Sequence, residues 1–186
     1  AAAGAGTQAK LIAKHYNLFY LDTGKIYRFI GREKIKNKEK FNYKLIKKKI
    51  KNLKIIKLHN RNLLSNKVAN EASIIAKDLK IRKIVYNFQI RCAYKPPKKF
   101  NGSILDGRDI TSVIMKNALF KFFITADVKI RALRRFKELK LLKKKTTYNE
   151  VLKSIKNRDK SDFNRKISPL KKTKDSLLIN TTNLNK

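Results

Sequence analysis

Arginine and aspartate recur in this chain in patterns suited to handling phosphate. Arg108 lies in Asp106-Gly107-Arg108-Asp109, and Arg158 and Arg165 lie in Arg158-Asp159-x-x-Asp162-x-Asn164-Arg165. A planar guanidinium binds phosphate oxygens two at a time and keeps its charge, so arginines placed this way fit the transfer of a phosphoryl group. Leu21-Asp22-Thr23-Gly24-Lys25-Ile26-Tyr27-Arg28 adds another arginine just beyond an acidic turn. Ala3-Gly4-Ala5-Gly6-Thr7 has the layout of a phosphate cradle. Small residues let backbone N–H groups approach phosphate oxygens, and a helix start behind them presents unsatisfied donors. Thr7 is expected to cap that helix, which carries Ala9, Ile12, Ala13 and Tyr16 on one face. Set against the pattern G-x-x-x-x-G-K-[ST], Gly4 is the second glycine and Ala5 stands where the lysine belongs.

Several other chemistries find little support. His15 and His59 are isolated, and the single Cys92 has neither a disulfide partner nor a metal-binding cluster around it. No apolar run is long enough to span a bilayer and no signal peptide is evident, so a cytoplasmic protein is expected. The formal charge of +35, from 48 Lys+Arg against 13 Asp+Glu, makes nucleic acid a partner to weigh. The aromatic residues, however, sit in apolar segments such as Phe120-Lys121-Phe122-Phe123, and do not alternate with basic runs as stacking platforms do. The charge reads as a general basic surface plus a few arginines placed for phosphate. Salt-sensitive, non-specific attraction to RNA follows from it, and a basic RNA-associating protein is the rival reading.

The elements that must position these residues alternate between strand and helix. Leu18 to Leu21 is a buried strand ending at Asp22-Thr23-Gly24, and a helix from Lys25 returns Arg28 toward the same turn. From Gly31 to Leu58 lysine dominates, with Ile46, Ile50 and Leu53 at helical spacing and Lys54 to Leu58 alternating as a strand would. A helix from about Lys80 to Tyr94 stops at Pro96-Pro97. Ser103 to Asp106, Phe120 to Thr125 and Ser176 to Asn180 read as strands. Asp127 caps a helix bearing Arg131, Arg134 and Arg135, and Thr147-Tyr148-Asn149-Glu150 is a capping box opening the next. This alternation predicts a three-layer α/β fold in which helices flank a parallel sheet.

The three motifs, in this order and spacing, resemble those of bacterial cytidylate kinases. The resemblance covers nearly the whole chain and is weakest between about Gly31 and Asn62. It implies a P-loop NTPase-type fold with nucleoside-monophosphate (NMP)-binding and lid subdomains. The core would span about 1–28, 96–133 and 167–186, the NMP-binding insertion about 29–95 and the lid about 134–166. Leu63 to Ser73 would hold a short strand and the helix after it. Both termini are expected to be short of the family pattern.

The implied activity is transfer of the γ-phosphoryl group of ATP, with Mg2+, to CMP or dCMP by a monomer. By this resemblance Gly4, Ala5, Gly6, Thr7, Arg134 and Arg135 would meet ATP. Thr23, Arg28, Arg108, Arg158, Asp162 and Arg165 would meet CMP, with Arg28 on its phosphate and Asp162 on its sugar. Arg158, Arg165 and Arg131 would serve the transfer itself, and no side chain is expected to ligate the metal directly. The chain departs from the family at Ala5, at Thr111 in place of glycine and at Asn117 in place of aspartate. These departures predict weakened catalysis, and leave open a nucleotide-binding relative that turns over slowly.

Overall fold

Two pairs of parallel strands underlie the architecture. In the computed structural model, which describes residues 2–184, β1 (Leu18–Asp22) pairs with β2 (Gly102–Asp106), and β3 (Phe122–Thr125) pairs with β4 (Leu177–Asn180). Each pair is a two-stranded parallel sheet accompanied by helices, giving the expected mixed α/β class. The chain divides into two compact units, one formed by Ala1–Gln8 with Arg108–Lys186 and the other by Ala9–Gly107.

In the unit Ala9–Gly107 the core is built on α2 (Gly24–Lys36) and α5 (Leu79–Tyr94). Ile26 and Ile30, one turn apart, are fully buried, as are Ile81 and Val85 on α5. Gly31 lets α2 lie tightly against α4 (Asn66–Ile75), because a Cβ there would stand 3.1 Å from the Ala72 nitrogen. The lysine-rich segment contains α3 (Tyr43–Lys51), which buries Ile46 and Ile50 and turns Lys44, Lys47, Lys48 and Lys51 outward. Side-chain caps start α3, α4 and α5. Asn42 accepts from Leu45 N–H at 2.8 Å, Ser65 from Val68 N–H at 3.3 Å, and Asp78 from Lys80 and Ile81 N–H at 2.8 and 3.1 Å.

Two expected strands in this unit are 3₁₀ turns instead. Lys54 to Leu58 coils into the turn Ile55–His59, where Leu58 is buried while Ile56 is 70% exposed, and the Lys57 N–H bonds back to the Lys54 carbonyl. The strand expected at Leu63 is the turn Arg61–Leu64, closed by Asn60, whose side chain accepts from the Asn62 N–H at 2.8 Å. In both places local hydrogen bonding takes the backbone groups that a sheet would need.

In the other unit β3 and β4 are joined by α6 (Val128–Leu141) and α7 (Tyr148–Asn164), which pack through Ala132, Leu139, Val151 and Ile155. Asp127 caps α6, accepting from Lys129 and Ile130 N–H, and these bonds hold its carboxyl below the usual range. Thr147 and Glu150 close the expected capping box over α7. Lys121 is buried at the start of β3 and bonds Asp175 and the Lys116 carbonyl. Among the described residues no helix is long and apolar enough to cross a membrane.

Candidate active site

Asp162 gathers three of the arginines that the sequence singles out. It is 7% exposed on α7, and its Oδ2 lies 2.7 Å from Arg108 Nε and 3.8 Å from Arg158 Nε. Its Oδ1 lies 3.9 Å from Arg165 Nη1. The helix explains the grouping, because positions 158, 162 and 165 fall on one face. The far end is fixed as well: Arg165 Nε donates to the Ser168 carbonyl at 2.7 Å, and Leu170 N–H donates to the Asp162 carbonyl at 2.7 Å. One buried carboxylate therefore orients several guanidiniums. That arrangement restrains the rotation of these guanidiniums.

The remaining arginines of this unit are held differently. Arg131 Nη1 lies 2.6 Å from Asp159 Oδ2, tying α6 to α7, and its Nε donates to the Ala126 carbonyl at 2.9 Å. Arg135 pairs with Glu138 one turn along its own helix at 2.8 Å. Arg134 wraps the end of β4. It donates to Thr181 Oγ1 at 3.1 Å and to the carbonyls of Thr181, Thr182 and Leu184 at 2.6, 3.4 and 3.0 Å. Sequence reading gave no role to Asp159, although it stands inside a motif, nor to Thr181, which carries no local signal.

The small-residue loop opens α1 (Ala5–His15) three residues earlier than Thr7 would as a cap. Gly4 has φ +89°, and its carbonyl accepts from both Thr7 and Gln8 N–H at 3.0 Å, so Thr7 sits inside the first turn. The left-handed backbone at Gly4 starts the helix where sequence reading expected a side-chain cap. The first turn of a helix presents amide donors that have no partner within the helix. Ala5 contributes no charge there.

In the unit Ala9–Gly107, β1 and β2 end in register, Asp22 opposite Asp106. Thr23, 3% exposed, sits on that shared end: its N–H and its hydroxyl both donate to the Asp106 carbonyl, at 3.0 and 2.9 Å. Arg28 is held by a bond from Nη1 to the Leu63 carbonyl at 2.8 Å. Arg82, not singled out from sequence, lays its guanidinium 5.7 Å from the ring centre of Tyr27, beside Arg28 in the chain. Tyr20 on β1 resists ionisation, since burial and then Asp106 and Asp22 raise its pKa. The lysine-rich segment also lines a cleft of about 650 Å³ with Phe29, Arg32, Glu33, Lys48, Lys49 and Lys57. Within the described residues no group of three His, Cys, Asp or Glu side chains is placed to hold a metal ion.

β1 and β2 end together at Asp22 and Asp106, a glycine loop opens α1, and Asp162 of α7 gathers arginines, each a feature in keeping with the nucleoside-monophosphate kinase class. The cytidylate kinase family model matches residues 1–186, and the chain belongs to that family. It is 38% identical to the cytidylate kinase of Clostridium tetani, an alignment covering 98% of this chain and 84% of that protein. It is 39% identical to the cytidylate kinase of Thermosipho melanesiensis, over 99% of this chain and 87% of that one, and 37% identical to that of Clostridium botulinum strain Hall, over 98% and 87%.

Proposed function

We propose that this chain transfers the γ-phosphoryl group of ATP to CMP or dCMP, giving CDP or dCDP and ADP. The observation that carries the reading is the gathering of Arg108, Arg158 and Arg165 on Asp162, in a chain of the cytidylate kinase family. A CMP phosphate oxygen attacks the γ-phosphorus, one P–O bond forms as the bond to the ADP oxygen breaks, and no covalent intermediate is needed. Arg28 grips the CMP phosphate and Thr23 contacts CMP. Arg108, Asp162, Arg158 and Arg165 also hold CMP, with Asp162 on the sugar. Arg158, Arg165 and Arg131 offset the charge that spreads over the moving group. Gly4, Ala5, Gly6 and Thr7 meet the ATP phosphates, with Arg135 nearby. ATP would enter as its magnesium complex, with nucleotide oxygens supplying the main ligands of the metal. The chain acts as a monomer in the cytoplasm.

Ala5 favours one refinement, that turnover is slow. A lysine there supplies a point charge at the β- and γ-phosphates, and an electrostatic donor of this kind is worth on the order of 10²–10³ in rate. The test is steady-state ADP formation from ATP and magnesium with CMP, dCMP, UMP or AMP, comparing the chain with Ala5→Lys. A gain of about 10²-fold or more with CMP and dCMP supports the reading. Nucleotide binding without CMP phosphorylation by either form would leave a silent nucleotide-binding relative. Tight, sequence-specific RNA binding that survives high salt would favour the rival reading.

A further inference from the structure

We propose that Thr181 is the residue that positions the phosphate loop, with Arg134 acting through it; this rests on the reading that the loop meets the ATP phosphates. Thr181 follows β4 and is 7% exposed. Its hydroxyl lies 2.8 Å from the Ala3 carbonyl and 3.2 Å from the Thr125 carbonyl. The hydroxyl has one proton to give, and the Ala3 carbonyl is the nearer acceptor, while the Thr125 carbonyl also takes the Thr181 N–H at 2.8 Å. The shorter contact assigns the hydroxyl proton to Ala3. Arg134 donates into the same oxygen from Nη1 at 3.1 Å and into the Thr181 carbonyl from Nη2 at 2.6 Å, which fixes the threonine from two sides and polarises its O–H toward Ala3.

The consequence falls on the peptide between Ala3 and Gly4. A trans peptide holds its N–H opposite its carbonyl, so anchoring the Ala3 oxygen sets the direction of the Gly4 N–H, the first amide of the cradle. The loop needs such an anchor. Ala2 has φ +58° and Gly4 has φ +89°, and a non-glycine residue stays in the left-handed region only where its surroundings hold it. Arg134 also binds the Thr182 and Leu184 carbonyls. With Nη1 and Nη2 reaching four acceptors at the β4 end, Arg134 serves here as a positioning residue.

The experiment uses Thr181→Val, which removes the hydroxyl at nearly constant volume, and Thr181→Ser, which restores it. Both are made in the chain as given and with Ala5→Lys. Two readouts are taken: hydrogen exchange of the loop amides from Gly4 to Gln8, and equilibrium binding of ATP and of CMP. The valine variant should exchange faster at the loop and bind ATP about tenfold more weakly, with CMP binding unchanged, and the serine variant should recover both properties. Unchanged loop exchange in a folded valine variant overturns the proposal, as does equal loss of ATP and CMP binding. Should the valine variant not fold, Arg134→Lys, which keeps the charge and loses the fork, must give the same signature. If the parent binds no ATP, the reading of the loop as a nucleotide site fails, while its exchange rates still decide the role of Thr181.

Discussion

Arg108 Nε and Asp162 Oδ2 lie 2.7 Å apart, joining residues 54 positions distant in the chain through a carboxylate that two further arginines approach. Asp162→Asn keeps the shape of this hub and removes its charge, so three guanidiniums lose their common counter-ion. The expected result is a fall in kcat/KM for CMP on the order of 10²-fold, with the KM for ATP changed much less. Initial rates with each substrate varied in turn check this, and equal damage to both parameters would count against an acceptor-side role.

Gly31→Ala tests the close approach of α2 to α4. The new Cβ would stand 3.1 Å from the Ala72 nitrogen and 3.3 Å from the Val68 carbonyl oxygen, and backbone atoms cannot swing aside as a side-chain tip can. A loss of about 1–3 kcal/mol in unfolding free energy is expected, measured by urea denaturation.

Acid should weaken the unit Ala9–Gly107 through Glu33. Burial alone raises this carboxyl, but hydrogen bonds from Lys49 and Arg32 outweigh burial and bring it below its ordinary 4.5. A depressed carboxyl contributes its full stability above that ordinary value and loses it as pH falls toward the lower folded value. Urea midpoints between about pH 6 and pH 3 should therefore fall more steeply for the parent than for Glu33→Gln, which has no proton to take up at that position.

Cys92 should be inert while the protein is folded. Burial pushes its thiol up to about 11 from an ordinary 9.0, which leaves about one hundredth of the usual thiolate at neutral pH. Labelling with a thiol reagent at pH 7.5 should be at least about 10²-fold slower in buffer than in denaturant. Equal rates would mean that α5 opens readily.

What sequence reading reached, and what it did not, follows from the range of the interactions. Asp127, Thr147 and Glu150 act within three residues, so their caps were legible, as was the stop at Pro96. Arg158, Asp162 and Arg165 were legible as a motif, while their meeting on one face of α7 came with the helix. The turn at Arg61–Leu64 was not, because Leu63 and Leu64 carry the composition of a strand while Asn60 decides the geometry. Thr181 was invisible for a different reason: its partners are Ala3, Thr125 and Arg134, and only the folded chain shows that they meet.

The ion pairs have a practical corollary for work with so basic a protein. In one unit Asp159, Asp162 and Glu138 each hold an arginine, and within the unit Ala9–Gly107 Glu33 and Glu71 pair with Lys49 and Lys34, so these few acids act as fasteners inside each unit. Carboxylates added to the surface would offer those arginines competing partners. A less sticky version of the chain is better reached by replacing exposed lysines such as Lys143, Lys144 and Lys145 with glutamine, which lowers its charge while every one of these fasteners stays closed.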